Sequence, residues 1–181
     1  MERELEVKVL GINLEEMEKK VRALGGILLS KEKQINTLID SSERPIKSYI
    51  DAYLRIRETQ DLLNNKEKTE FTLKKNIAKD GLRDNIELTA EIEDKDIMLE
   101  ILVNLGFEKI EVGYKERKSY ELLGARLDFD KWDKETYPFP YMEIEVKDSK
   151  HLAEIVKILE IPQENISLKS IVELRKELKL V

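Results

Sequence analysis

Residues 4–9 read Glu4-Leu5-Glu6-Val7-Lys8-Val9, a strict alternation of charged and apolar side chains. Successive side chains of a β-strand point to opposite faces, so this stretch puts Glu4, Glu6 and Lys8 on one face and Leu5, Val7 and Val9 on the other. The same alternation returns near the other end in Glu143-Ile144-Glu145-Val146, and between the two in Tyr53-Leu54-Arg55-Ile56-Arg57 and Phe71-Thr72-Leu73-Lys74. Arg83 and Glu87, Lys115 and Arg117, and Arg126 and Asp128 are also even numbers of residues apart, although Glu116 interrupts the pattern. Any one such pair is most often a solvated strand face. Seven in one chain are more consistent than solubility requires. They fit an antiparallel sheet closed into a barrel, with the charged face lining a lumen and the apolar face turned outward under helices.

The rest of the chain supplies those parts. With residues 2–10, strand-like stretches at about 27–40, 49–59, 69–77, 82–93, 107–121, 125–132 and 141–147 make eight strands. Turn residues such as Lys79-Asp80-Gly81 and Leu123-Gly124 join several of them as hairpins, so the sheet reads as antiparallel. Lys66-Glu67-Lys68 reads as a solvated hairpin. Asn13 caps a helix with Leu14, Met17, Val21 and Leu24 on its apolar face and Gly25-Gly26 as its stop. A second helix at about 94–105 has Asp94 as cap, Ile97, Ile101, Leu102 and Leu105 on its apolar face and Gly106 as stop. Helices at about 149–159, capped by Ser149, and 168–179 close the chain. No linker or repeat divides it, so residues 1–181 read as one α+β domain.

Composition narrows the chemistry. Charged residues are 39% of the chain against about 25% in ordinary globular domains, while 41% is hydrophobic, too much for a disordered protein. Lys and Arg number 32 and Asp and Glu 38, and the net charge of -6 counts against a nucleic-acid partner. No cysteine and a single histidine exclude disulfides, thiol nucleophiles and Cys/His zinc sites. His151 reads as a surface residue at a helix start. No apolar run reaches the roughly 18 residues of a membrane span, and Met-Glu-Arg-Glu-Leu-Glu is unlike a signal peptide, so a cytoplasmic protein without a membrane partner is expected.

A lumen lined by acids and bases together has a chemical use. Glu4/Glu6 and Glu143/Glu145, each two residues apart on one strand face, offer the oxygen ligands that Mg²⁺ or Mn²⁺ prefers. Arginine and lysine side chains match a polyanion, and a metal ion bridging carboxylate to phosphate neutralises what they do not. The ligand these features imply is a chain of phosphates.

The ordered set of motifs resembles the CYTH domain of the triphosphate tunnel metalloenzymes, a group that includes class IV adenylate cyclases, thiamine triphosphatases and inorganic tripolyphosphatases. Its Glu-x-Glu-x-Lys is matched by Glu4, Glu6 and Lys8, its Leu-Arg-x-Arg by Leu54, Arg55 and Arg57, and its Thr-x-Lys by Thr72 and Lys74. Lys115, Arg117 and Tyr120 match Lys-x-Arg-x-x-Tyr, Asp128 the lone aspartate, and Glu143-Ile144-Glu145 the closing Glu-x-Glu. The resemblance implies an eight-stranded tunnel. It implies metal-binding roles for Glu4, Glu6, Glu87, Asp128, Glu143 and Glu145, and phosphate-binding roles for Lys8, Arg55, Arg57, Lys74, Arg83, Lys115, Arg117 and, from the last helix, Lys169. Two features depart from the family pattern: Gln34-Ile35-Asn36-Thr37-Leu38-Ile39-Asp40 lacks the usual aromatic residue before the aspartate, and Arg83 and Glu87 are four apart instead of two. The expected activity is hydrolysis of a triphosphate with Mg²⁺ or Mn²⁺, with Lys8 activating water. Adenylate cyclase and an idle polyphosphate or nucleotide sensor are the alternatives. Trp132 reads as a packing residue first and a stacking platform second, and a homodimer is compatible with the sequence.

Overall fold

The computed structural model describes residues 2–77 and 83–180, with the side chains of Glu2, Arg3 and Arg83 outside the description. The expected Lys79-Asp80-Gly81 turn lies outside the described residues. Eight strands form the ring: β1 (Glu2–Val9), β2 (Ile27–Asp40), β3 (Ala52–Asp61), β4 (Lys66–Asn76), β5 (Arg83–Glu91), β6 (Lys109–Leu122), β7 (Ala125–Trp132) and β8 (Tyr141–Val146). Their order is β5-β4-β3-β2-β6-β7-β8-β1, every pair is antiparallel, and β1 pairs back onto β5 to close the barrel. A two-residue strand, β9 (Ile166–Ser167), adds to β1 outside the ring. Four helices complete the fold: α1 (Leu14–Ala23), α2 (Lys95–Asn104), α3 (Ser149–Ile158) and α4 (Ile171–Glu177).

Alternation decides which side of each strand is buried against what. The outward residues Val7, Val9, Leu127, Phe129, Met142 and Ile144 of β1, β7 and β8 form the main core with Val21 of α1 and Ile155 and Leu159 at α3. A second core joins Ile39 and Ile56 of the outer wall to Leu102 of α2, with Phe71, Met98 and Leu99 packed against them. These two cores lie outside the barrel and leave the lumen mostly to polar side chains; a third, smaller cluster packs Tyr141 and Trp132 of the lumen against Leu174 of α4.

Several local expectations change. On α2 the buried residue is Leu102, whereas Ile97, Ile101 and Leu105 are 57%, 49% and 69% exposed. A single helix facing a curved wall buries one narrow stripe, and here that stripe runs through Met98, Leu99 and Leu102. The cap of α3 is Asp148, whose Oδ1 accepts from the His151 N–H at 2.9 Å, in place of Ser149. α4 starts later than expected because Ser170 caps it: Ser170 Oγ accepts from Glu173 N–H, and the Glu173 carboxylate accepts from Ser170 N–H. Lys66-Glu67-Lys68 opens β4, and the turn before it falls at residues 62–65. The helical cover is also incomplete: Ile110, Val112 and Tyr114 on the outward face of β6 are exposed. Among the described residues no helix is long and apolar enough to cross a membrane.

Candidate functional site

The lumen is a cavity of about 430 Å³. Twelve of the residues singled out by sequence line it: Glu4, Glu6, Lys8, Arg55, Arg57, Lys74, Glu87, Lys115, Arg117, Asp128, Glu143 and Glu145. They come from seven strands, and what brings them together is the two-residue period of each strand inside a closed ring. The backbone of Arg83 lies directly across from Glu6. Lys169 is not among the lining residues; it is exposed and paired with Glu177, while Ser170, Ile171, Val172 and Glu173 beside it line the cavity.

Around Lys74, one ammonium serves three carboxylates. Its Nζ lies 2.6 Å from Glu4, 2.8 Å from Glu87 and 3.5 Å from Glu6, and Asn85 donates to Glu6 Oε1 at 3.0 Å. Burial works against the Lys74 charge, but Tyr53 and the three carboxylates raise its pKa far above the ordinary lysine value. The acids respond unequally. Burial also opposes the Glu87 charge, yet Lys74 and Arg55 bring that carboxyl down to about 2. Burial, with Glu87 and Glu6 nearby, raises Glu4 despite Lys74.

Around Arg117, one guanidinium is held by three carboxylates. Nε and Nη2 donate to the two oxygens of Asp130 at 2.6 Å each, Nη2 also reaches Glu143 at 2.7 Å, and Nη1 lies 2.6 Å from Asp128. Asp130 is fully buried and also accepts from Lys115 Nζ at 3.0 Å. Lys115 is otherwise poorly supported: burial, then Arg117, pull its pKa down to about 7. Burial together with Arg55 and Arg117 lowers Arg57 to about 10. Lys8 rests 2.8 Å from Glu143 Oε1, with its ammonium 5.7 Å from the centre of the Tyr141 ring.

Sequence reasoning missed several residues that build the site. Asp130 shares the parity of Arg126 and Asp128, so the alternation argument could have found it. Asn85 fills the position between Arg83 and Glu87 that the spacing left unexplained. Gln34, Asn36 and Thr59 make the wall contributed by β2 and β3. Arg126, which the alternation placed on the Asp128 face without a role, donates to Asp128 at 3.0 Å and to Ser119 at 3.2 Å. Trp132 both packs and lines the cavity: its Nε1 donates to Tyr141 Oη at 2.9 Å while Lys115 Nζ sits 5.2 Å from its ring centre. Gly113 makes room for it, since a Cβ there would lie 2.6 Å from Thr136 Oγ1 and 3.1 Å from the indole. His151 Nε2 donates to the Leu123 carbonyl at 3.1 Å, away from the lumen.

Among the described residues the cavity lining includes ten carboxylates and nine lysine or arginine side chains, so these are close to neutral together. A triphosphate adds several negative charges that these bases alone do not offset. Oxygen-only donors suit a hard divalent cation, so the residue set fits Mg²⁺ or Mn²⁺ in type and in charge. As they stand, no three carboxylates among the described residues are grouped to hold an ion, because Lys74 and Arg117 each occupy the space among three of them.

The family model described as the CYTH domain matches residues 2–173. The PH1012 protein of Pyrococcus horikoshii OT3 shares the fold with a TM-score of 0.77 at 26% identity, over 94% of this chain and 98% of that one. A Vibrio parahaemolyticus protein classed as an adenylate cyclase gives 0.72 at 17% identity over 96% and 97%. A Hippeastrum protein, also classed as an adenylyl cyclase and found to have a dominant triphosphatase activity, gives 0.64 at 18% over 94% and 91%. No functionally curated protein matches the sequence.

Proposed function

The chain belongs to the CYTH domain family, and from that premise we propose that it is a divalent-metal-dependent hydrolase of a triphosphate bound inside the barrel. One observation carries the reading: Glu4, Glu6 and Glu87 crowd around a single ammonium in the same cavity as Arg55, Arg57 and Arg117. A mere anion binder gains nothing from those acids.

Arg117 binds phosphate from a position fixed by Asp130, whose two oxygens lock the guanidinium plane before any ligand arrives. Arg55, Arg57, Lys74 and Lys115 complete the cradle. A phosphate chain competes with the carboxylates for Lys74 and Lys8 and so releases Glu4, Glu6, Glu87 and Glu143; with Asp128 and Glu145, these are the groups that would hold Mg²⁺ or Mn²⁺. Such an ion, when bound, supplies charge neutralisation along the phosphate chain. Lys8, freed from Glu143, orients the attacking water toward the terminal phosphorus. A second reading, adenylate cyclase, differs in which phosphorus is attacked and needs a held ribose, a requirement that the uncharged side chains Gln34, Asn36 and Thr59 in the cavity would suit.

Release of orthophosphate from tripolyphosphate by the purified protein tests the lead reading. It is expected with Mg²⁺ or Mn²⁺ and lost on chelation. Release at an undiminished rate in excess chelator contradicts it.

A further inference from the structure

The lumen wall built by β2 and β3 carries side chains that a phosphate chain does not explain. Gln34, Asn36 and Thr59 are 3%, 2% and 6% exposed, and all three line the cavity. Gln34 stands directly across from Thr59, and Asn36 across from Arg57. Charged neighbours fix which amide atoms are left over. Gln34 Nε2 donates to the Glu32 carboxylate, which turns its carbonyl Oε1 away, and that atom has no partner in the protein. Asn36 Oδ1 accepts from Arg57 Nε at 3.0 Å, which leaves its NH₂ group without a partner. Thr59 Oγ1 has none either.

Deprotonated phosphate oxygens accept hydrogen bonds and donate none. They can satisfy the Asn36 amide and the Thr59 hydroxyl but not the Gln34 carbonyl, and a buried acceptor left without a donor is costly. A ligand that satisfies this carbonyl carries an N–H or O–H. The cavity has the room, since its volume of about 430 Å³ falls in the range of about 300–1,000 Å³ that encloses an organic ligand. Resting on the triphosphate reading above, we infer that the β2–β3 wall is a subsite for the uncharged head group of an organic triphosphate, a head that bears both hydrogen-bond donors and acceptors.

Binding to the full-length protein in the presence of Mg²⁺ tests this with ATP, 2′,3′-dideoxy-ATP and methyl triphosphate, whose phosphate chains match while their heads differ. The wild-type protein should bind ATP about tenfold or more tightly than methyl triphosphate, the usual penalty for leaving a buried polar group unpaired. Gln34→Leu should bring that ratio close to one. Thr59→Val, which preserves shape and removes a hydroxyl that has no protein partner, should reduce it in part. Loss of the preference with dideoxy-ATP identifies the sugar hydroxyls as the group read, and its persistence identifies the base. Equal binding of ATP and methyl triphosphate by the wild type overturns the inference, as does a Gln34→Leu variant that weakens both alike. Failure of all three ligands to bind overturns the triphosphate reading itself.

Discussion

Lys74 and Arg117 occupy corresponding situations in two parts of the lumen, each a cation among three carboxylates, yet the clusters differ in how their acids are held. Around Arg117, Asp130 is fully buried, absent from the cavity lining, and grips the guanidinium with both oxygens. Around Lys74, all three acids line the cavity and share one ammonium, a compact charge on a flexible stem. The first cluster is a scaffold that aims a guanidinium. The second is a reserve of carboxylates that a competing anion can release. This difference separates residues needed for the fold from residues needed for the chemistry.

The largest effect is expected at Asp130. Asp130→Asn keeps the shape but leaves Arg117 and Lys115 buried beside a neutral amide, and breaking a buried ion pair from one side costs about 3–5 kcal/mol. Denaturant titration should register that loss, and a change below about 1 kcal/mol would remove the scaffold from the account. At Glu6 the balance reverses. In Glu6→Gln the ammonium of Lys74 keeps Glu4 and Glu87, so stability should hold while turnover falls by about a hundredfold or more, roughly 2.7 kcal/mol of transition-state stabilisation. Full activity in the Glu4→Gln/Glu6→Gln double variant would remove the metal assignment.

A smaller effect distinguishes the two clusters by ligand binding. Tripolyphosphate at about ten times its Kd should stabilise the wild-type protein by about 1.4 kcal/mol through mass action, and orthophosphate at equal concentration far less. Equal melting shifts from the two would argue against an extended anion site.

A pH dependence is expected at Lys115, whose surroundings are Arg117, Asp130, Arg57 and Glu143. Its folded pKa of about 7 lies below the ordinary 10.5, so the folded state releases this proton first. Its contribution to stability should rise with pH from about 7 to 10.5, the window in which only the unfolded chain still binds the proton. Affinity for tripolyphosphate should move the other way, falling as pH rises through 7, and Lys115→Arg should flatten that profile. An unchanged profile in the variant would assign the titration to another group.

The barrel was legible because alternation needs nothing beyond the parity of residues along a strand, and twelve lumen residues followed from it. Parity also contained Asp130, but a third acid beside Arg126 and Asp128 is invisible as a scaffold until β6 and β7 are placed side by side. The fully buried Asn85 was hidden for a related reason: an amide between two charged positions has no motif value until Glu6 is seen to accept from it. The exposed stripe of α2 misled because Ile97, Ile101 and Leu105 recur at helical spacing as well as the buried set does, and only the barrel wall decides which stripe is covered. Lys169 was drawn to the site by its neighbours in sequence, whereas the Ser170 cap turns the chain so that Ser170 to Glu173 face the cavity and Lys169 meets Glu177.

Hydrolysis and cyclisation part at the position of attack on the phosphate chain. A hydrolase needs only that chain and a water in line behind the terminal phosphorus, whereas a cyclase must hold a ribose so that its 3′-hydroxyl lies behind the α-phosphorus. With Mg²⁺ or Mn²⁺ present, tripolyphosphate and ATP should each be offered to the purified protein while orthophosphate, pyrophosphate and cyclic AMP are measured together. The account predicts orthophosphate from tripolyphosphate and little cyclic AMP from ATP. Cyclic AMP with stoichiometric pyrophosphate from ATP, and tripolyphosphate left intact, would contradict it.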